Sequence, residues 1–194
     1  MTFTKQDQDP FTPETQLAVA GAFEIFEGKR EELITLTRTG RLLQAGDFLP
    51  QMVGIEIQDK PFILHTVNAF GTETCDFCIG ELEVFHQAHP DTEVISLTKQ
   101  SAKEIQDEDA KRAQEGKPPI THKRVTIDQE LAIDLGVALA PGEGADKEFW
   151  PTALRRTLAL IDGQGRIVDI QQPEDQEEIP DFGKIYEEVE NLSL

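Results

Sequence analysis

The chain has 194 residues, enough for one domain with extensions, and its 38% hydrophobic and 28% charged residues suit a packed globule, not a collagenous, disulfide-scaffolded or disordered chain. Acidic residues (37) outnumber basic ones (18), and the net charge of −19 would repel phosphate backbones and anionic lipid surfaces. No basic patch offsets it, so nucleic acid and membranes are excluded as expected partners. Met1–Pro10 carries Lys5, Asp7 and Asp9 and lacks a secretory apolar core, and no run approaches the roughly 20 apolar residues that span a bilayer. A cytoplasmic location is expected.

In chain order, a polar leader precedes two β-like stretches, Gln16–Phe26 and Leu33–Thr37, separated by a charged turn, Glu27–Glu32. They predict a small strand or hairpin extension laid on the main domain, with residues 1–32 as leader and β extension and residues 33–194 as the domain. After the loop Gln44–Pro50 comes a weak strand, Met52–Ile57. Pro61–Val67 is almost continuously apolar, which suits a central strand covered on both faces. A helix follows over Thr74–His89, with Ile79, Leu82 and Phe85 at core spacing and Pro90 past its end.

Glu93–Thr98 predicts the next strand and Ser101–Gln114 a highly charged helix. Arg124–Ile127 is a short strand, Asp128–Leu135 a short helix capped by Asp128 and stopped by Gly136, and Ala140–Lys147 a loop. Arg156–Asp162 and Arg166–Gln171 alternate around Gly163-Gln164-Gly165 as a hairpin does. Ile179–Leu192 reads as a closing helix with Phe182, Ile185 and Val189 inward. The order β-α-β-α-β-α-β-β-α makes the fold class α/β, a mixed sheet with helices on both faces and an N-terminal β-hairpin extension. Ligand chemistry in such sheets collects at the carboxyl ends of the strands, where Cys75 falls.

The only two cysteines, Cys75 and Cys78, stand three positions apart in the first turns of the predicted helix. Several residues now combine: Thr72-Glu73-Thr74-Cys75 after an apolar strand, Arg156 opening a late strand, Gly136-Val137 before the intervening loop, and Ala45-Gly46-Asp47 upstream. Together, over Leu33–Leu192, they resemble a peroxiredoxin of the bacterial thiol peroxidase type, with a thioredoxin-like fold. The resemblance implies Cys75 as peroxidatic nucleophile, Thr72 as its hydrogen-bonding partner and Arg156 as electrostatic stabiliser. It also implies a hydroperoxide substrate, a thioredoxin-like reductant and a homodimer. No metal, haem or flavin cofactor is implied. Two positions depart from the family pattern: Asn68 stands where a proline is usual, and the helix after the cysteines carries no resolving cysteine.

The chemistry can be argued without the resemblance. The thiolate attacks peroxide, and a cysteine of pKa about 8.5 is only about 3% ionised at pH 7, so a pKa near 6 gains about 30-fold in reactive fraction, about 2 kcal/mol. Nucleophilicity falls along with pKa, so the larger contribution must come from donors aimed at the breaking O–O bond. A helix N-terminus and the guanidinium of Arg156 are such donors. The resulting sulfenic acid must meet a second thiol before it over-oxidises. Cys78 is the candidate resolving cysteine: helical i, i+3 positions hold Cβ atoms about 5–6 Å apart and a disulfide needs about 3.8 Å, a gap that loosening the first turn can close. A one-cysteine cycle with an external thiol is the other route.

The rival function is a thioredoxin-type disulfide oxidoreductase using Cys75-Asp76-Phe77-Cys78 as its dithiol. That family places a proline before the strand facing its site, where this chain has Arg156. Other readings are plainer. Arg156 could pair with one of the many carboxylates, and Arg155 beside it leaves the register open by one. Thr72 could be a turn residue. Zinc is disfavoured because Cys78 and His86 would lie about 12 Å apart along the helix. His65 reads as a satisfied core histidine, and His122 has no identifiable partner. Glu73 and Asp76 read as a solvated helix start.

Overall fold

The computed structural model describes residues 22–26, 29–37, 39–51, 55, 57, 59–68, 73–141, 153–173 and 178–192. The predicted stretch before Ala22, Thr72 and most of the loop after Pro141 lie outside them, as does most of the predicted strand at 52–57. Of that strand, Ile55 and Ile57 are described, and neither is in a strand.

Two sheets make up the fold. The larger is β5(Lys123–Thr126), β4(Glu93–Thr98), β3(Phe62–Val67), β8(Leu158–Ile161) and β9(Ile167–Gln171), in that spatial order. β3, β4 and β5 run parallel, linked by α1(Glu73–Ala88) and α2(Ala102–Gln114), while β8 and β9 return antiparallel. β3 is central and buried along its whole length, as its unbroken apolar run requires.

The smaller sheet, all antiparallel, orders β1(Ala22–Phe26), β2(Lys29–Leu36), β6(Ala138–Pro141) and β7(Ala153–Leu154). The predicted hairpin extension therefore exists, and β2 also joins it to strands from the later chain. The predicted charged turn is a correction: Lys29–Glu32 are strand residues, paired back to Phe26, Ile25, Glu24 and Phe23. Ladder hydrogen bonds use backbone groups alone, so charge along the edge does not forbid pairing. β2 runs through positions 32 and 33, where the sequence reading places the junction between extension and main domain.

Residue alternation along the strands separates two cores. On one face, Ile63, Val94, Leu158 and Leu160 pack against Leu82 and Phe85 of α1 and against Phe182, Ile185 and Val189 of α4(Phe182–Leu192). On the other, Phe62, Leu64, Ile95, Leu97, Ala159 and Ile161 pack against α3(Gln129–Asp134) and Ala138 and Leu154 of the smaller sheet. Burial of this kind is the main driving force for the fold, at about 25 cal/mol per Å² of apolar surface removed from water.

Local signals set the helix ends. Ser101 and Glu104 form a reciprocal capping box at α2, and Asp128 accepts from the Leu131 amide at α3. In the β8–β9 turn, a Cβ on Gly163 would come within 2.6 Å of the Asp59 backbone, and Gly165 has φ +81°. Only glycine fits both positions without strain. Among the described residues, no helix is long and apolar enough to cross a membrane.

Candidate active site

β3 ends at Val67 and α1 begins at Glu73, so both cysteines sit where the central strand hands over to a helix. Cys75 is partly buried and packs against Val67, Ile79, Ile105 and Ile120. Cys78, a turn further on, is 1% exposed and belongs to the core cluster of Ile63, Leu82, Leu158 and Leu160. Both are free thiols. Burial pushes the Cys78 thiol above its ordinary pKa, with the charge of Arg156 pulling the other way and Cys75 adding to the rise. Cys78 in the closed helix is thus a protonated, shielded thiol, and both Cys75 and Arg156 stand close enough to act on it electrostatically.

Arg156 lies just before β8. β3 and β8 pair with His65 opposite Leu158, and the Thr66 amide donates to the Thr157 carbonyl at 3.0 Å. The same register carried onward sets Arg156 across from Val67, the residue Cys75 packs on. By alternation it shares the face of Leu158 and Leu160, which is the α1 face. Its guanidinium is buried, with Nη1 donating to the Glu178 carbonyl at 3.0 Å, and it makes no salt bridge to a carboxylate among the described residues.

Arg155 points to the opposite face, donating to Thr35 Oγ1 at 3.0 Å and to the Gln172 carbonyl at 2.9 Å. The one-residue ambiguity between the two arginines is resolved by which side of the sheet each occupies. Thr72 lies outside the described residues, so the structure brings together Cys75, Cys78 and Arg156 of the four predicted site residues.

Three arrangements were invisible to sequence reasoning. First, Asn68, the position where a proline is usual, ties the end of β3 to the approach to Arg156. Its Nδ2 donates to the Leu154 carbonyl at 2.9 Å and its Oδ1 accepts from the Leu154 amide. The side chain thus imitates one more residue of sheet pairing. Second, Asp76 is not a solvated helix start. Its carboxylate meets Arg112 Nη1 at 3.0 Å and Lys117 Nζ at 3.3 Å, from the last turn of α2 and the loop beyond it.

Third, His122 has partners after all. Its Nδ1 faces Glu83 Oε1 at 2.5 Å and its Nε2 faces Ser96 Oγ at 2.8 Å. Burial lowers the His122 pKa in spite of the neighbouring Glu83. The neutral ring therefore carries its proton on Nδ1, toward the carboxylate, and Nε2 accepts from the Ser96 hydroxyl. Burial works against charge on Glu83, but the amides of His122 and Thr121 and the Thr121 hydroxyl outweigh it and hold the carboxyl below its ordinary value. Serine, histidine and glutamate in this order resemble a hydrolase triad, but Ser96 is fully buried and cannot meet a substrate. His65 also departs from expectation. It is buried, yet its Nδ1 has no hydrogen-bond partner among the described residues, and burial, with His122 and Arg156 nearby, lowers its pKa to about 3. Among the described residues no group of three His, Cys, Asp or Glu side chains is placed to hold a metal ion.

The site thus holds a partly buried thiol at a helix start, a second, buried thiol one turn on, and a buried guanidinium on the same face of the sheet. The architecture is the thioredoxin-like fold. Solved structures with this fold include a peroxiredoxin-like protein from Aquifex aeolicus, with a TM-score of 0.65 and 16% identity over 91% of this chain and 97% of that one. A thiol peroxidase from Chromobacterium violaceum has a TM-score of 0.63 and 15% identity, covering 84% of this chain and 94% of its own. AhpC of Mycobacterium tuberculosis reaches 0.59 at 15% identity over 79% of this chain and all of that one (100%). No family profile matches the sequence, and no curated protein does.

Proposed function

We propose that the chain is a thiol-dependent peroxidase that reduces hydrogen peroxide or organic hydroperoxides in the cytoplasm. The observation that carries this reading is Arg156: a buried guanidinium on the cysteine face of the sheet, near enough for its charge to pull the Cys78 thiol down against burial. A buried guanidinium facing the thiols is placed to hold a thiolate and a developing oxyanion. The fold shared with peroxiredoxins and thiol peroxidases supports it.

In the proposed cycle the Cys75 thiolate attacks the terminal peroxide oxygen. The O–O bond breaks, the sulfur gains OH as a sulfenic acid, and the departing oxygen leaves as water or alcohol after taking a proton. Arg156 stabilises the thiolate and the departing oxygen. Thr72 is assigned the hydrogen bond to sulfur. Cys78 condenses with the sulfenic acid, and a thioredoxin-like reductant returns the dithiol. We assign the catalytic unit to residues 33–194, extended by residues 1–32, and expect it to work as a homodimer.

Intact-protein mass after one equivalent of peroxide tests the roles. Wild type is expected to lose two hydrogens, Cys78→Ser to gain one oxygen, and Cys75→Ser to stay unchanged. An unchanged wild type that reduces insulin disulfides would replace this reading with the disulfide oxidoreductase.

A further inference from the structure

Asp76 lies between the two cysteines in sequence, and its carboxylate is one point where α1 is tied to α2. Arg112, 9% exposed at its side chain, reaches it at 3.0 Å, and the Arg112 Nη2 also donates to the Pro118 carbonyl at 3.2 Å. Lys117 adds a second cation at 3.3 Å, itself held by Glu115 at 3.0 Å. The first turn of α1 is therefore clamped from outside by the end of one helix and the loop that follows it.

The same turn must deform for the two sulfurs to meet. Cys75 packs on Val67, Ile79, Ile105 and Ile120, whereas Cys78 sits in a separate cluster with Ile63, Leu82 and Leu158. Helical i, i+3 Cβ atoms stand about 5–6 Å apart, beyond the roughly 3.8 Å of a disulfide. Cys78 is also packed in that second cluster at 1% exposure, so bringing its sulfur to Cys75 displaces the segment that carries Asp76. Any such shift stretches or breaks the contacts to Arg112 and Lys117.

We propose that Arg112 and Lys117, acting through Asp76, are positioning residues that latch the first turn of α1 and set the rate at which Cys75 and Cys78 join. The inference rests on the proposed peroxidase reading for its biological meaning. Resolution is a balanced condensation: the Cys75 S–O bond breaks, an S–S bond forms to Cys78, and the Cys78 proton leaves with the hydroxyl as water. While the latch holds, the sulfenic acid persists and a second peroxide can carry it to sulfinic acid. A tighter latch therefore means a more readily over-oxidised enzyme.

The test compares wild type, Lys117→Ala, Lys117→Arg and Arg112→Gln. Disulfide closure is followed by acid quenching, thiol blocking and mass, once after peroxide and once after diamide, an oxidant that closes dithiols without a sulfenic acid. Lys117 is half-exposed, so its loss should speed closure about 3-fold, and loss of the shielded Arg112 about 10-fold. The sulfinic fraction in excess peroxide should fall correspondingly, and Lys117→Arg should behave as wild type. A merely structural role would lower the melting temperature and leave the ratio of disulfide to sulfinic acid untouched. Should Arg112→Gln fail to fold, Lys117→Ala and closure at raised salt, which weakens the exposed pair, decide alone. Closure rates within error of wild type for both oxidants overturn the latch, as does failure of diamide to close the pair in any variant. Faster diamide closure in a protein that ignores peroxide would keep the latch and overturn the peroxidase.

Discussion

Arg155 and Arg156 are neighbours of one residue type, both buried, and the sheet puts them to opposite uses. Arg155 faces the smaller sheet and donates to Thr35 of β2 and to the Gln172 carbonyl, tying the two sheets together. Arg156 faces α1 and donates to the Glu178 carbonyl, with no salt bridge to a carboxylate among the described residues. A guanidinium carries five N–H donors in a rigid fork. Whether those donors are already engaged by the chain separates a structural arginine from one that can receive an anion.

That contrast breaks most sharply by substitution. Arg156→Met should lower the second-order rate of peroxide consumption about 100-fold or more, the scale of losing one preorganised oxyanion donor, and leave thermal stability close to wild type. Arg155→Met should do the reverse, destabilising by about 3 kcal/mol because buried acceptors lose their donor, with the rate of the folded protein within about 3-fold of wild type. Stopped-flow peroxide assays beside denaturant melts on both variants check the pair. Equal rate losses from both would erase the distinction.

The next contrast is between the cysteine end of α1 and its middle, where Glu83 holds His122. His65 and His122 both have depressed pKa values, chiefly through burial. His65 is faced by His122 and Arg156, and His122 by Glu83, His86, Ser96 and Arg124. A base with a folded pKa below its unfolded value leaves the unfolded chain binding more protons, so stability falls as pH drops below about 6.5. With His65 at about 3 in the folded state, this group alone should remove about 2 kcal/mol between pH 7 and pH 5. His122 adds to the loss over the same range, and Glu83, whose folded pKa is depressed, adds more below its ordinary value near pH 4.5. Urea unfolding at pH 7 and pH 5 measures this, and His65→Leu should flatten the slope.

The parts legible in the sequence were those written locally. The unbroken apolar run Phe62–Val67, the 3.6-residue spacing of Ile79, Leu82 and Phe85, and the glycines around Gln164 each carry their structure within a few residues. The chain also showed which residues were chemically unusual, since it has two cysteines and an arginine just ahead of a late apolar strand. The contacts that surround them join residues far apart: Asp76 to Arg112 across 36 positions, Glu83 to His122 across 39, Asn68 to Leu154 across 86. In a chain with 18 basic and 37 acidic residues, nothing local marks which charges will meet. Lys29–Glu32 misled for a related reason: their charge suggests a turn, while their backbone pairs as a strand edge.

Asn68 sharpens the comparison of the two arginines at the smallest scale, because it stands upstream of both. Its amide brackets Leu154, the residue immediately before them, and so fixes the backbone from which Arg155 and Arg156 diverge to opposite faces. Asn68→Ala removes one donor and one acceptor from a partly buried pair, a loss of about 1–2 kcal/mol. Arg155 keeps its own contacts to Thr35 and Gln172, so the tie between the sheets should survive. Among the described residues Arg156 donates to one carbonyl, that of Glu178, and depends more on the backbone behind it. The peroxide rate should therefore fall about 5-fold, beyond the stability loss, and Asn68→Asp, which keeps the acceptor for the Leu154 amide but not the donor, should fall between. A rate unchanged in Asn68→Ala, measured where the variant is fully folded, would mean that the Glu178 carbonyl alone suffices to aim Arg156.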